Sequence, residues 1–306
     1  MTRILIIPLV LIGCLLVQCG NPSPDTGSGK FRVVTTTGMI ADAVLNIAGD
    51  SVEIEALMGP GVDPHLYKAT QGDLKKLTNA DLVLYNGLLL EGKMGEVLKK
   101  LARIQPVIAV GQAIDSSKLL GSQLYQDAYD PHIWFDIKLW QLAVHQVNLS
   151  LQELDPDNQQ YYQVNTQNYL QRLDSLHEQV LNQISDIPAR QRVLITAHDA
   201  FEYFGRAYNI EVRGLQGLST VTEFGLKDIT DLVEFIIERQ IKAVFIETSI
   251  SERSIQAVVE GCKKRGHLVT IGGSIYSDAM GANGTPEGTY IGMIDANVHT
   301  ITNALR

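Results

Sequence analysis

Cysteine is scarce: the chain of 306 residues holds three, Cys14, Cys19 and Cys262. That is too few for a disulfide scaffold, so the fold must be held by packing. Basic clusters are absent, and 34 acids against 25 lysines and arginines give a formal charge of −9, which excludes nucleic acid as a partner. No apolar run has the length of a comfortable membrane span; the longest, Ile4 to Val17, is interrupted by Pro8 and Gly13. Histidine-rich tracts are also missing, which removes a metal-collecting loop, and so is any His-Glu-x-x-His pair, the signature of one class of zinc protease. What is present is ordinary for a globular protein: 45% hydrophobic and 19% charged residues, enough for two core-bearing lobes.

The leading segment differs from the rest. Met1, Thr2 and Arg3 make a short basic start before the apolar run, and residues 1–18 read as a secretion signal. Leu16-Val17-Gln18-Cys19, followed by a polar stretch rich in Gly, Pro and Ser, resembles a bacterial lipoprotein signal with Cys19 as the acylated residue. Gln18 departs from the small residue usual there. Leu11-Ile12-Gly13-Cys14 fits that pattern better, but would strand Leu15 to Val17 in the mature tail; signal length favours Cys19, and a plain signal peptide without lipid is the third reading. Residues 19–29 then form a lipidated flexible linker. Removing 1–18 takes away Arg3 and no acid, so the charge moves from −9 to −10. With Cys19 lipidated, Cys262 has no disulfide partner; in an apparent helix, Ser251 to Arg265, it reads as a small buried hydrophobe.

Beyond residue 30, short runs rich in β-branched residues recur: Arg32 to Thr36, Val52 to Leu57, Leu82 to Tyr85, Val107 to Val110, Val193 to Thr196, Ala243 to Glu247 and Leu268 to Ile271. Most read as buried parallel strands. Helix-length amphipathic segments lie between them, at Gly38 to Ala48, Gln71 to Thr78, Phe135 to Leu154, Leu226 to Arg239 and Tyr290 to Leu305. Such alternation predicts an α/β fold with mainly parallel sheets flanked by helices. From Asp157 to Ile187 no strand signal occurs, and Tyr162, Tyr169, Leu173, Leu176, Val180, Ile184 and Ile187 recur at helical spacing between Pro156 and Pro188. Residues 156–187 are read as one helix linking an N-terminal lobe, 30–155, to a C-terminal lobe, 188–306. A long helix inside one domain would show the same periodicity.

An internal echo carries the chemistry: Asp63-Pro64-His65-Leu66-Tyr67 and Asp130-Pro131-His132-Ile133-Trp134. In each, proline fixes the backbone just before the histidine, and an aromatic two residues on can shield the imidazole from water. His198 follows the strand Val193 to Thr196, and Asp278 lies a few residues beyond Leu268 to Ile271. Ligand sites in open α/β sheets gather at strand carboxyl ends, and a cleft between lobes is where two ligands from each would meet. Three neutral imidazoles and a carboxylate suit a borderline first-row ion, zinc or manganese, with iron(II) compatible with the same donors. Calcium wants more oxygens and copper(I) wants sulfur. Glu202 and Glu247 are the expected hydrogen-bond partners of ligand imidazoles, although a helix surface and a strand end explain them equally. His145, His177, His267 and His299 read as surface or packed residues.

At these motifs the chain resembles the metal-specific solute-binding proteins of bacterial ABC importers, the TroA-like zinc and manganese group. The resemblance runs through Met58-Gly59-Pro60-Gly61-Val62-Asp63-Pro64-His65, Tyr85-Asn86-Gly87, Asp130-Pro131-His132-Ile133-Trp134-Phe135-Asp136, Thr196-Ala197-His198-Asp199-Ala200-Phe201, Gly214-Leu215-Gln216-Gly217, Phe245-Ile246-Glu247-Thr248-Ser249, Ser277-Asp278-Ala279-Met280-Gly281 and Gly288-Thr289-Tyr290. It implies two lobes joined by a rigid helix and a metal held by His65, His132, His198 and Asp278. It also implies delivery to a membrane permease with its ATPase, a monomer anchored by its N-terminal lipid outside the cytoplasmic membrane, and no catalytic cofactor. His198, where manganese-restricted relatives carry glutamate, is similar to the branch that accepts both metals; the missing histidine-rich loop departs from many dedicated zinc binders. A single linking helix predicts small lobe tilts and rearranged ligand loops, around Asp278 above all, in place of wide closure.

Two other readings use the same residues. A zinc hydrolase could be built on three histidines and a carboxylate, but needs a general base and substrate pocket that no motif supplies. A surface adhesin-like lipoprotein would carry its metal incidentally.

Overall fold

The computed structural model describes residues 29–122, 128–221 and 223–306. The signal segment 1–18, Cys14, Cys19 and nearly all of the linker lie outside the described residues. Apolar runs of four to six residues become short strands, and the amphipathic segments pack over them. In chain order the elements are β1 (Phe31–Thr35), α1 (Gly38–Ala48), β2 (Val52–Ala56), α2 (Gln71–Thr78), β3 (Leu82–Tyr85), α3 (Gly95–Leu101), β4 (Val107–Ala109), α4 (Ile137–Leu154), α5 (Gln159–Ser185), β5 (Val193–His198), α6 (Glu202–Tyr208), β6 (Glu211–Gln216), α7 (Leu226–Glu238), β7 (Ala243–Glu247), α8 (Arg253–Lys264), β8 (Thr270–Ile275) and α9 (Tyr290–Leu305). Every strand pairing between them is parallel. The first half forms a four-stranded sheet in the order β2-β1-β3-β4, and the second half two pairs, β5-β6 and β7-β8. This is the α/β architecture expected from the alternating pattern.

Local chemistry explains most boundaries. A capping box between Thr70 and Asp73 starts α2, and the Asp136 carboxylate accepts from the amides of Lys138 and Leu139 to start α4. Pro156 opens a 3-10 turn ahead of α5, whose 27 residues span about 40 Å at 1.5 Å per residue. Its buried stripe, Tyr162, Thr166, Tyr169, Leu173, Leu176, Val180 and Ile184, follows the helical repeat. That stripe sits in a core drawing on both halves of the chain, with Ile40 and Trp140 on one side and Phe204, Tyr290 and Ile294 on the other. A second core joins Ile195 and Val244 to Ile236, Val258 and the buried Cys262, and a third joins Val83 to Leu77 and Leu98.

Strand β5 runs two residues past the expected Thr196, so that His198 ends the strand instead of following it, and three other elements depart further from expectation. Strand β6 is new; it pairs only with β5, and Arg213 and Gly214 break its apolar pattern. Helix α3 is new too, its seven residues burying only Leu98 and Leu101. Strand β8 begins two residues late and runs on to Ile275, because the Gly272-Gly273 pair continues it. The register slips between Val244 and Phe245, leaving Gly272 as the extra residue, and a Cβ there would stand 2.6 Å from that of Ala304 on α9. Only glycine permits that approach. The shift puts Asp278 three residues beyond its strand. Among the described residues no helix is long and apolar enough to cross a membrane.

Candidate metal centre

Two copies of one turn present the first pair of histidines. In the loop between β2 and α2, Asp63 Oδ1 accepts the His65 amide at 2.8 Å; ahead of the 3-10 turn Ile133–Phe135, Asp130 Oδ1 accepts the His132 amide at 2.9 Å. Each aspartate bridges its proline to reach the residue two ahead, so the sequence echo is a structural repeat. His198 is the last residue of β5, a strand buried along its whole length. Asp278 follows Ser277, whose hydroxyl meets that of Ser249 at 2.9 Å and whose carbonyl accepts from the Trp134 indole at 3.1 Å.

The four side chains converge, each no more than 3% exposed. Nε2 of His65 and of His132 are 3.3 Å apart. Asp278 Oδ1 is 3.5 Å from His132 Nε2, and its Oδ2 is 3.3 Å from His198 Nε2 and 3.8 Å from His65 Nε2. All donor atoms lie within 4.8 Å of one another. A tetrahedral ion with bonds of about 2.0–2.1 Å needs edges of about 3.3–3.4 Å between its donors; the distances of 3.3 and 3.5 Å come close to that, and the 3.8 Å one would have to shorten. Three of these buried atoms, His198 Nε2 and both Asp278 oxygens, have no hydrogen-bond partner. Unpartnered buried polar atoms are rare and costly, and here they face one point.

Carboxylates behind two imidazoles set their tautomers. Asp130 Oδ1 lies 2.7 Å from His132 Nδ1, and Glu247 Oε2 lies 2.6 Å from His198 Nδ1. A carboxylate only accepts, so each Nδ1 carries a proton, which leaves Nε2 as the ring nitrogen that can give its lone pair to an ion. Glu247 Oε1 also accepts the amides of Ala197 and His198 at 2.7 and 2.9 Å, binding β7 to β5. Burial pushes the His65 imidazole down to about 3, which keeps it a neutral donor. Burial also works against charge on His198 and on Asp278, but it is outweighed in both. The Glu247 and Asp278 carboxylates raise the His198 imidazole, and the three imidazoles, His198 foremost, hold the Asp278 carboxyl below the usual range.

Two expectations are corrected here. Glu202 does not reach an imidazole: it is exposed at the start of α6, and Asp130, whose role was not legible, stands behind His132 instead. Nor do both aromatics shield their histidines. The Trp134 ring lies edge-on to His132 with centroids 5.3 Å apart, whereas the Tyr67 hydroxyl turns away to Asp73 at 2.8 Å. The four remaining histidines stay outside the cluster; His177 meets the Tyr208 hydroxyl at 3.1 Å and His267 the Ile241 carbonyl at 2.8 Å.

The chain is 50% identical over 292 residues, 95% of each sequence, to the manganese-binding lipoprotein MntA of Bacillus subtilis (strain 168). It is 51% identical over 277 residues, 90% of this chain and 89% of the relative, to the zinc-binding protein TroA of Treponema pallidum (strain Nichols). The solved structure of the periplasmic zinc-binding protein TroA from Treponema pallidum superposes with a TM-score of 0.89, covering 90% of this chain and 99% of that one. Residues 33–304 match the family model ZnuA, the periplasmic component A of the zinc-uptake complex, and the chain belongs to that family.

Proposed function

We propose that this protein captures one zinc or manganese ion outside the cytoplasmic membrane, through His65, His132, His198 and Asp278, and delivers it to the permease and ATPase of an ABC-type importer. The convergence of four buried donors within 4.8 Å of one another, three of their atoms unpartnered, carries this reading. Manganese and zinc in the names of relatives at 50% and 51% identity support the choice of ions, and the donor chemistry accepts both. The protein acts as a carrier, not an enzyme: a donor set this buried favours holding an ion over working on a substrate around it. Residues 30–155 and 188–306 serve as the two lobes and residues 156–187 as the strut between them. The signal-like start and Cys19 support a monomer held to the membrane surface by lipid.

Elemental analysis and competitive titration of the metal-stripped protein with zinc and manganese test the proposal. One equivalent bound with sub-micromolar affinity, and lost in His65→Ala, is the expected result. Failure to bind either ion at one equivalent would overturn it.

A further inference from the structure

The four donors are not held alike. His132 and His198 each have a carboxylate behind the imidazole, whereas neither oxygen of the buried Asp278 has a hydrogen-bond partner. The direction of that carboxylate is therefore set by its backbone. Three consecutive carbonyls ahead of it each accept a hydrogen bond, from three different parts of the fold: that of Ile275 from the Thr248 amide at 3.1 Å, that of Tyr276 from the Asn297 side chain at 2.7 Å, and that of Ser277 from the Trp134 indole at 3.1 Å. Asn297 grips twice. Its Oδ1 also accepts the Tyr276 amide at 2.8 Å, so one side chain pairs both polar groups of one residue, as a neighbouring strand would. The residue lies on the buried stripe of α9, among Met293, Ile294, Val298 and Ile301. Asparagine is a poor helix former and costly to bury unpaired; the clamp on Tyr276 accounts for its presence there.

We propose that Asn297 is a positioning residue for Asp278, and that through it α9 sets the balance between manganese and zinc at the centre. The inference rests on the reading of His65, His132, His198 and Asp278 as the donors of the ion. Asp278 supplies the one oxygen donor among them. Carboxylate oxygen suits manganese, and imidazole nitrogen suits zinc. Without Asn297, Tyr276 loses the partners of its amide and its carbonyl together, and the carboxylate two residues on loses its fixed direction. Zinc then keeps the three nitrogens it favours, while manganese loses hold of the donor that suits it best. The effect passes through the backbone of Tyr276 and Ser277, where the contact between the Ser249 and Ser277 hydroxyls at 2.9 Å is a further hold on the same arm.

The test titrates the metal-stripped full chain with zinc and, separately, with manganese(II) against a competing chelator, in wild type and in Asn297→Ala. Manganese weakened about tenfold and zinc only about two- to threefold is the expected result, the first at the low end of what the loss of a ligand's supporting partner costs. Ile301→Val, one turn further along the same buried stripe, removes packing alone and should leave the ratio of the two affinities unchanged. Ser249→Ala, at a half-buried hydroxyl, should shift the ratio in the same direction as Asn297→Ala by a smaller factor. An unchanged ratio in Asn297→Ala, or in Ser249→Ala should Asn297→Ala fail to fold, would overturn the proposal, and so would an equal shift in Ile301→Val. A wild-type chain that binds neither ion would instead bring down the reading of the central site, and this inference with it.

Discussion

The two Asp-Pro-His turns share a local fold and differ in everything around it. Around His132 the backbone is clamped: the Tyr203 hydroxyl donates to the Asp130 carbonyl at 3.0 Å, Asn86 to that of Pro131 at 2.9 Å, and the Tyr290 hydroxyl to that of Trp134 at 2.7 Å. Asn86 is itself held by the buried Glu91 carboxylate, which also accepts from Thr36 and Gly87. Around His65 the ties are fewer. Asp63 is half-buried and reaches the Thr220 hydroxyl at 2.6 Å, and Leu66 is 49% exposed where its counterpart Ile133 is fully buried. Tyr203, Tyr290 and Ser277 all belong to the second half of the chain, so the His132 turn, encoded in the first half, is fastened mainly to the second. The His65 turn therefore has fewer ties than the His132 turn, and if the centre opens at its less fastened ligand, an ion would pass on the His65 side.

The largest effect expected from this asymmetry is on metal affinity. Asp130→Ala removes both the Nδ1 acceptor and the amide acceptor of His132 and should weaken zinc binding about 10- to 100-fold in a chelator competition. Asp63→Ala removes only an amide acceptor from His65 and should cost far less. Equal losses would erase the distinction between the turns.

Stability should divide the same way on a smaller scale. Tyr290→Phe leaves the buried Trp134 carbonyl without its donor and should cost about 1–3 kcal/mol in denaturant unfolding of the metal-free protein. Tyr67→Phe, at a half-buried hydroxyl that water can replace, should cost about 0.5–1 kcal/mol. A larger cost at Tyr67 would mean that the His65 turn is the better anchored of the two.

Much of this was legible in the sequence, and the failures have physical causes. The boundaries of Gly38–Ala48, Gln71–Thr78, Leu82–Tyr85, Ala243–Glu247 and Tyr290–Leu305 agree with the pattern to the residue, because each is a regular apolar stripe or run with clear punctuation. Edge strand β6 and short α3 bury too few side chains to show a period. The bulge at Gly272 is set by the nearness of Ala304 on α9, a contact between residues 32 positions apart that no local pattern reveals. At the centre, proline and aromatic neighbours marked His65 and His132, and a strand end marked His198. The difference between Asp130 and Asp63 was hidden, since both precede Pro-His and only tertiary packing brings one carboxylate to Nδ1. Distance from the ligand in sequence was also a poor guide: Glu202, four residues after His198, points elsewhere, while Glu247, 49 residues away, is hydrogen-bonded to it.

The smallest expected effect isolates the loose turn itself. Thr220 Oγ1 to Asp63 Oδ2 is a hydrogen bond that ties the His65 turn to the second half of the chain. Thr220→Val removes that hydroxyl and keeps the shape, at a cost of about 0.5–1 kcal/mol, or about two- to fivefold. Because neither the donors nor their carboxylate partners change, that cost should appear in the dissociation rate of the ion, measured by stopped-flow transfer to a chelator, with little change in association. Slower dissociation, or an effect confined to thermal stability, would show that the His65 turn does not govern release. A two- to fivefold faster release, unmatched by Tyr203→Phe on the clamped side, would place the exit at His65.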